Sequence, residues 1–119
     1  MAKRKPASYW VQMFATNVAE QSDVLWRDGK SGNQYARRYI DAWERLRAMG
    51  DVGRDALSVL FDHPRPDVRI SAAACLLRHR TEEALAVLWK EAAGEGLVSF
   101  EAQQCIKRWE EGTWQLDPE

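Results

Sequence analysis

The stretch "FDHPRPDVRISAAACLL", residues 61–77, decides the fold. Pro64 bars His63 from comfortable helical geometry, so the preceding helix is expected to stop near Asp62. Pro66 has its φ preset for a first helical turn and lacks an N–H that would be orphaned there. One proline therefore ends a helix and the other begins the next. Asp67 suits the positive end of that second helix, and Val68, Ala72 and Leu76 recur along one face with Ala73 and Leu77 beside it. Small residues on this face let the helix lie close against a neighbour.

The same periodicity extends in both directions. In "SYWVQMFATNVAEQSDVLWRDG", Trp10, Phe14 and Val18 fall at four-residue steps with Val11 and Ala15 beside them, predicting a first helix that Gly29 and "KSGN" end. Ser31 or Asn33 is a cap for the second helix. There, "QYARRYIDAWERLRAMG" places Tyr35, Tyr39, Ala42, Trp43, Leu46 and Met49 at helical spacing, with charged residues on the other turns and Gly50 as the stop. Asp51 is expected to cap a third helix through "VGRDALSVLF", with Ala56, Leu57, Leu60 and Phe61 inward.

Beyond the proline turn, Thr81 is expected to cap "EEALAVLWKEAAG", with Leu85, Leu88, Trp89 and Ala92 inward. "GEG" at 94–96 reads as a linker. "VSFEAQQCIKRWEEG" carries Val98, Ala102, Cys105, Ile106 and Trp109 at helical spacing, closed by Gly112. No segment alternates as a strand would, so the fold class is all-α, with about six helices.

At 119 residues and 45% hydrophobic, the chain fits one domain, because chains of this size remove about two thirds of their unfolded surface from water. The domain is placed at 8–112, between a basic N-terminal tail, 1–7, and a C-terminal tail, 113–119. No apolar run approaches a bilayer span, and "MAKRKPASYW" lacks the apolar segment and cleavage site of a signal peptide; the expected location is cytoplasmic, with no membrane contact. Cys75 and Cys105, inside apolar helical patterns and without CxxC or paired histidines, read as buried reduced thiols. That spacing disfavours a zinc site, and a secreted disulfide scaffold would be expected to carry more cysteines.

The net charge of −1 hides an asymmetry: residues 1–50 hold nine Lys/Arg against five Asp/Glu, and residues 51–119 hold eight against thirteen. The acidic second half suits a basic partner and argues against nucleic acid. His63 and His79 are the imidazoles of the chain, and neither has a Ser or Cys at a recognisable catalytic spacing. Glycines mark helix ends and form no GxGxxG or phosphate loop. Glu110 and Glu111 are neighbours on a helix and point about 100° apart, which a paired catalytic carboxylate would not do. The sequence thus calls for no catalytic residue, no metal, no cofactor and no small-molecule substrate.

The turn Asp62, Pro64, Val68, Arg69 with Ala72, Ala73 and Leu76 resembles the HEAT-like helical repeat, in which antiparallel helix pairs stack. Arg65 departs from the Asp or Asn that such repeats carry before the proline, a cap worth ~1 kcal/mol. Residues 82–93 and 98–111 would form a second, degenerate unit. With "SFEAQQCIKRWEEGTWQLDP", the second half is similar to a small bacterial family of HEAT-like proteins catalogued as a domain of unknown function, whose members recur beside polymorphic toxins of the Rhs and contact-dependent types. The resemblance implies a HEAT-like stack and an immunity role, that of an antitoxin binding a cognate protein toxin.

Six tryptophans is an unusual share for this length. Trp43, Trp89 and Trp109 fall on apolar stripes and are assigned to the core, whereas Trp26 and Trp114 lie where burial is less dictated. Arg69 is expected to make an inter-repeat or intrahelical pair with an acid such as Asp62 or Asp67. The residues expected to meet a basic toxin surface are Glu82, Glu83, Glu101, Glu110 and Glu111, with Trp114 as an aromatic anchor. Two other readings compete: a helical-repeat scaffold or adaptor, and a HEAT-like DNA-binding or glycosylase-type protein that would use Lys3, Arg4, Lys5, Arg37 and Arg38 on phosphates.

Overall fold

The structure, a computed structural model, describes residues 5–24 and 29–117, and for 29–31 the backbone alone. Trp26, Lys3 and Arg4 lie outside the described residues. Among those described, the fold is all-α: α1 (Ala7–Val24), α2 (Gly29–Ala48), α3 (Asp51–Leu57), a 3-10 helix (Ser58–Asp62), α4 (Pro66–Cys75), α5 (Thr81–Ala92) and α6 (Leu97–Glu111). No helix among them is long and apolar enough to cross a membrane. The chain divides into two compact units, Met1–Val59 and Leu60–Glu119.

In the N-terminal unit, α1 and α2 pack along one another. Their short connection makes the pair antiparallel. Val11, Phe14, Ala15 and Val18 of α1 and Ala42, Trp43 and Leu46 of α2 are buried, and the Phe14 ring meets Tyr39 edge-on at 5.7 Å. Asn17 is buried as well, with its amide donating to the Met13 carbonyl at 2.7 Å. The "GKSGN" run is the first turn of α2 rather than a loop. Two glycines cost a helix about 1 kcal/mol each, and burial of Gly32 shows this end of α2 closely covered.

Gly50, at φ +72°, turns the chain between α2 and α3 and takes the N-cap position expected of Asp51. Close approach of the two helices then fixes Gly53. A Cβ there would stand 2.0 Å from the Leu46 carbonyl oxygen. The helix expected to run on to Phe61 tightens after Leu57 into the 3-10 turn, keeping Leu57 and Leu60 buried. His63 then leaves the helix, one residue before Pro64 as the proline requires.

The C-terminal unit packs α4, α5 and α6 against one another around Ile70, Ala73, Leu77, Ala84, Leu88, Ala92, Ala102, Cys105 and Ile106. The four residues between α5 and α6 make this pair an antiparallel hairpin, pairing of the HEAT-like kind. Pro66 is the first residue of α4 and Arg65 its N-cap, without a side-chain cap bond. Instead the Arg65 guanidinium pairs with Asp67 at 2.8 Å, and the Asp67 carboxylate accepts the Val68 N–H at 2.8 Å. All five small or branched residues expected on the inner face, Val68, Ala72, Ala73, Leu76 and Leu77, have no exposed surface.

Several details depart from the sequence reading. Arg69 does pair with an acid, but that acid is Glu91 of α5 and neither Asp62 nor Asp67, because its long side chain reaches across to the neighbouring helix. Trp89 is 56% exposed instead of buried; it lies one residue, about 100°, round from the buried Leu88. His79 stands in a turn beyond α4, since Leu76 already leaves helical geometry with its N–H shared between the Ala72 and Ala73 carbonyls. Thr81 begins α5 after the N-cap residue Arg80, and its hydroxyl donates backward to the Leu77 carbonyl at 2.6 Å. Both cysteines are buried thiols, not joined in a disulfide.

Gly112 ends α6 at φ +76°, the left-handed conformation that glycine adopts without steric cost. The segment after it folds back on its own unit. Trp114 donates its indole N–H to the Ala74 carbonyl at 2.7 Å and meets Trp109 edge-on at 5.3 Å. Asp117 has no exposed surface and pairs with Arg78 at 3.2 Å, while the Arg78 Nε–H donates to the Asp117 carbonyl at 2.6 Å.

Candidate functional site

The α5/α6 hairpin carries the acids singled out in the sequence and sorts them by end. Glu82 and Glu83 occupy the first turn of α5, and Glu110 and Glu111 the last turn of α6. In an antiparallel pair those two turns share an end. The four carboxylates are all exposed, and Glu83 is held by Arg80 at 3.0 Å. Glu101 sits about 14 Å back along α6, counted at 1.5 Å per residue, toward the other end of the hairpin. The Gln103 amide donates to the Ala92 carbonyl at 3.0 Å, tying that stretch of α6 to the last turn of α5.

The two groups of acids differ electrostatically. Glu82 and Glu83 lie where the helix macrodipole favours anions. Glu110 and Glu111 lie where it disfavours them, an arrangement that costs a few tenths of a kcal/mol at an exposed site. Arg108 in the same turn offsets part of that. Partial burial, and then the charge of Asp67, raise the Glu101 carboxyl above its ordinary range. A cation brought to Glu101 would reverse that shift.

Trp114, expected as an exposed anchor, is half-buried and engaged with Ala74 and Trp109, so only part of its ring faces solvent. The exposed large apolar side chains of this hairpin are Trp89, Leu97 and Phe100, each more than half accessible. They lie in the last turns of α5 and the first turn of α6, at the end opposite the four acids. A residue count could have found Trp89 there, since Glu82, Ala86 and Ala93 at i−7, i−3 and i+4 are also exposed.

His63 has its Nδ1 accepting the Arg65 backbone N–H at 3.0 Å, within the proline turn. Among the described residues no group of three His, Cys, Asp or Glu is placed to hold a metal ion.

No protein-family model matches the chain, and no curated protein matches it. Among solved structures, the crystal structure of the protein RPA1889 from Rhodopseudomonas palustris is similar, with a TM-score of 0.85 over 94% of each chain. The sequences are 24% identical. The likeness establishes the fold.

Proposed function

We propose that this protein is a non-catalytic, cytoplasmic protein-binding module that neutralises a cognate toxin by covering a basic surface of it. The observation that carries the reading is the acidic end of the α5/α6 hairpin, where Glu110 and Glu111 are kept exposed at the helix terminus that disfavours them. Sequences break local rules most often where function demands it. Anions so placed steer a basic partner, and the exposed Trp89, Leu97 and Phe100 on the same hairpin supply the desolvated contacts that hold it.

The test is co-expression with the product of the adjacent gene, read as growth, together with a binding measurement on the purified pair. Restored growth and a one-to-one complex are expected, with an association rate that falls as salt is raised. The charge reversal Glu110→Lys/Glu111→Lys should slow association at least ~tenfold. Binding without rescue would favour a scaffold instead; neither binding nor rescue would overturn the reading.

A further inference from the structure

The N-terminal unit contains a second feature, unrelated to the acidic surface. A cleft of about 820 Å³ lies between the start of α1 and the turn from α2 into α3, lined by Lys5, Trp10, Arg45, Ala48, Met49 and Val52 among others. That volume is in the range of small-molecule sites, as is a mostly apolar lining with a few oriented polar groups. Both charged side chains of the lining are cations, and each is laid against an aromatic ring. Lys5 Nζ is 5.0 Å from the centroid of Tyr9, and the Arg45 guanidinium is 5.1 Å from that of Trp10. Tyr9 and Trp10 themselves meet edge-on at 4.8 Å.

This arrangement fixes charge and apolar surface in one place. A guanidinium stacked on an indole face directs its N–H groups sideways, where an acid oxygen can accept two of them. The first turn of α1 contains no acid, so the positive end of its macrodipole at Ala7 adds to the same field. The carboxylates nearby are engaged with basic residues: Asp41 with Arg45 at 3.7 Å, and Asp51 with Arg54 at 3.3 Å. The Asp41 contact is long, and both of its side chains are more than half exposed, so an incoming anion displaces little. Val52, at 73% exposure, offers apolar surface that a ligand body would cover.

We infer that this cleft binds a small aromatic acid, its carboxylate or sulfonate against Arg45 and Lys5 and its ring system against Trp10, Met49 and Val52. The probe is 1-anilinonaphthalene-8-sulfonate, compared with N-phenyl-1-naphthylamine, which keeps the rings and lacks the acid. Titrations followed by fluorescence and by the indole N–H signals of the nitrogen-15-labelled full chain should show one saturable site. A Kd on the order of tens of micromolar is expected for a ligand of this size. The Trp10 indole should shift, and the neutral amine should bind at least ~tenfold more weakly.

Arg45→Gln should weaken the sulfonate at least ~tenfold, and so should Val52→Glu, which sets a carboxylate at the lining. Both positions are at the surface, and circular dichroism reports whether each variant keeps the fold. Equal affinity for the charged and neutral probes would overturn the inference, as would movement of the Trp89 indole in place of Trp10. An unchanged Kd in either folded variant would do the same. The probe comparison and the indole signals need no variant, so a substitution that unfolds the chain leaves them decisive.

Discussion

Arg69, in the first turns of α4, lays its guanidinium against the Glu91 carboxylate of α5: its Nε–H donates to Glu91 Oε1 at 3.1 Å, and its Nη2 reaches the same oxygen. The opposite edge of the guanidinium donates to the His63 and Pro64 carbonyls at 2.8 and 3.1 Å. One side chain thereby ties the proline turn to the neighbouring helix. Arg69→Met should cost about 2–3 kcal/mol, since it leaves two carbonyls and a part-buried carboxylate without their donor. In a double-mutant cycle with Glu91→Gln, urea unfolding should give a coupling of about 1–3 kcal/mol. Additive effects would show the pair to be energetically inert.

Gly53 permits the contact of α2 with α3. Its replacement by alanine would push a methyl group to 2.0 Å from the Leu46 carbonyl, which is backbone and has little freedom to move. A loss of about 3 kcal/mol or more is expected, at the upper end of overpacking costs. Gly112→Ala is the control. It meets nothing within 4 Å and carries only the left-handed backbone cost of about 1–2 kcal/mol. Thermal melts that ranked the two the other way would refute the close packing of α2 on α3.

The return of the C-terminal segment is tested by Trp114→Phe, which keeps an aromatic ring against Trp109 and removes the N–H that the Ala74 carbonyl accepts. A loss of about 1–2 kcal/mol is expected from the orphaned carbonyl and the smaller ring. Unchanged stability would mean that the hydrogen bond from Trp114 to the Ala74 carbonyl contributes nothing to the unit.

Burial pushes the Cys105 thiol up to about 11, with the nearby Arg108 acting in the opposite direction. At pH 8 about one thiol in a thousand is then ionised, against about a quarter of ordinary cysteines. Labelling by a disulfide reagent should be slower than in the denatured chain by at least ~100-fold. The folded state holds this proton more tightly than the unfolded chain does. Its contribution to stability is therefore complete below about pH 9 and is lost as pH rises through about 11. Cys105→Ala should remove that slope from stability measured between those limits.

The proline turn was the most legible part of the molecule: Pro64 and Pro66 act through their own ring geometry, and the end near Asp62 and the start of α4 need no tertiary help. Helical periodicity likewise placed Val68, Ala72 and Leu76 inside, because it reports which face is apolar. It says nothing of which neighbour lies opposite, so the partner of Arg69 stayed hidden until α5 was docked. Trp89 was drawn inward by its adjacency to the Leu85, Leu88 and Ala92 stripe, although it stands about 100° off the buried Leu88. Trp114 lies where no periodicity operates. The acids were legible as residues, but their division between two ends needed the hairpin. Lys5 and Arg45 are far apart in sequence, and no local pattern could join them in one cleft.

The contacts of Trp114 and Asp117 also order the events of synthesis. Ala74 and Arg78 emerge from the ribosome 40 and 39 residues before the groups they bind. At 5–20 residues per second that interval is about 2–8 s. Helical contacts local in sequence form in microseconds to milliseconds, so α4 and α5 can find each other while the segment that will lock them is still inside the ribosome. For those seconds the nascent chain carries an open seam beside Ala74, and a chaperone that reads exposed apolar surface has that interval in which to act.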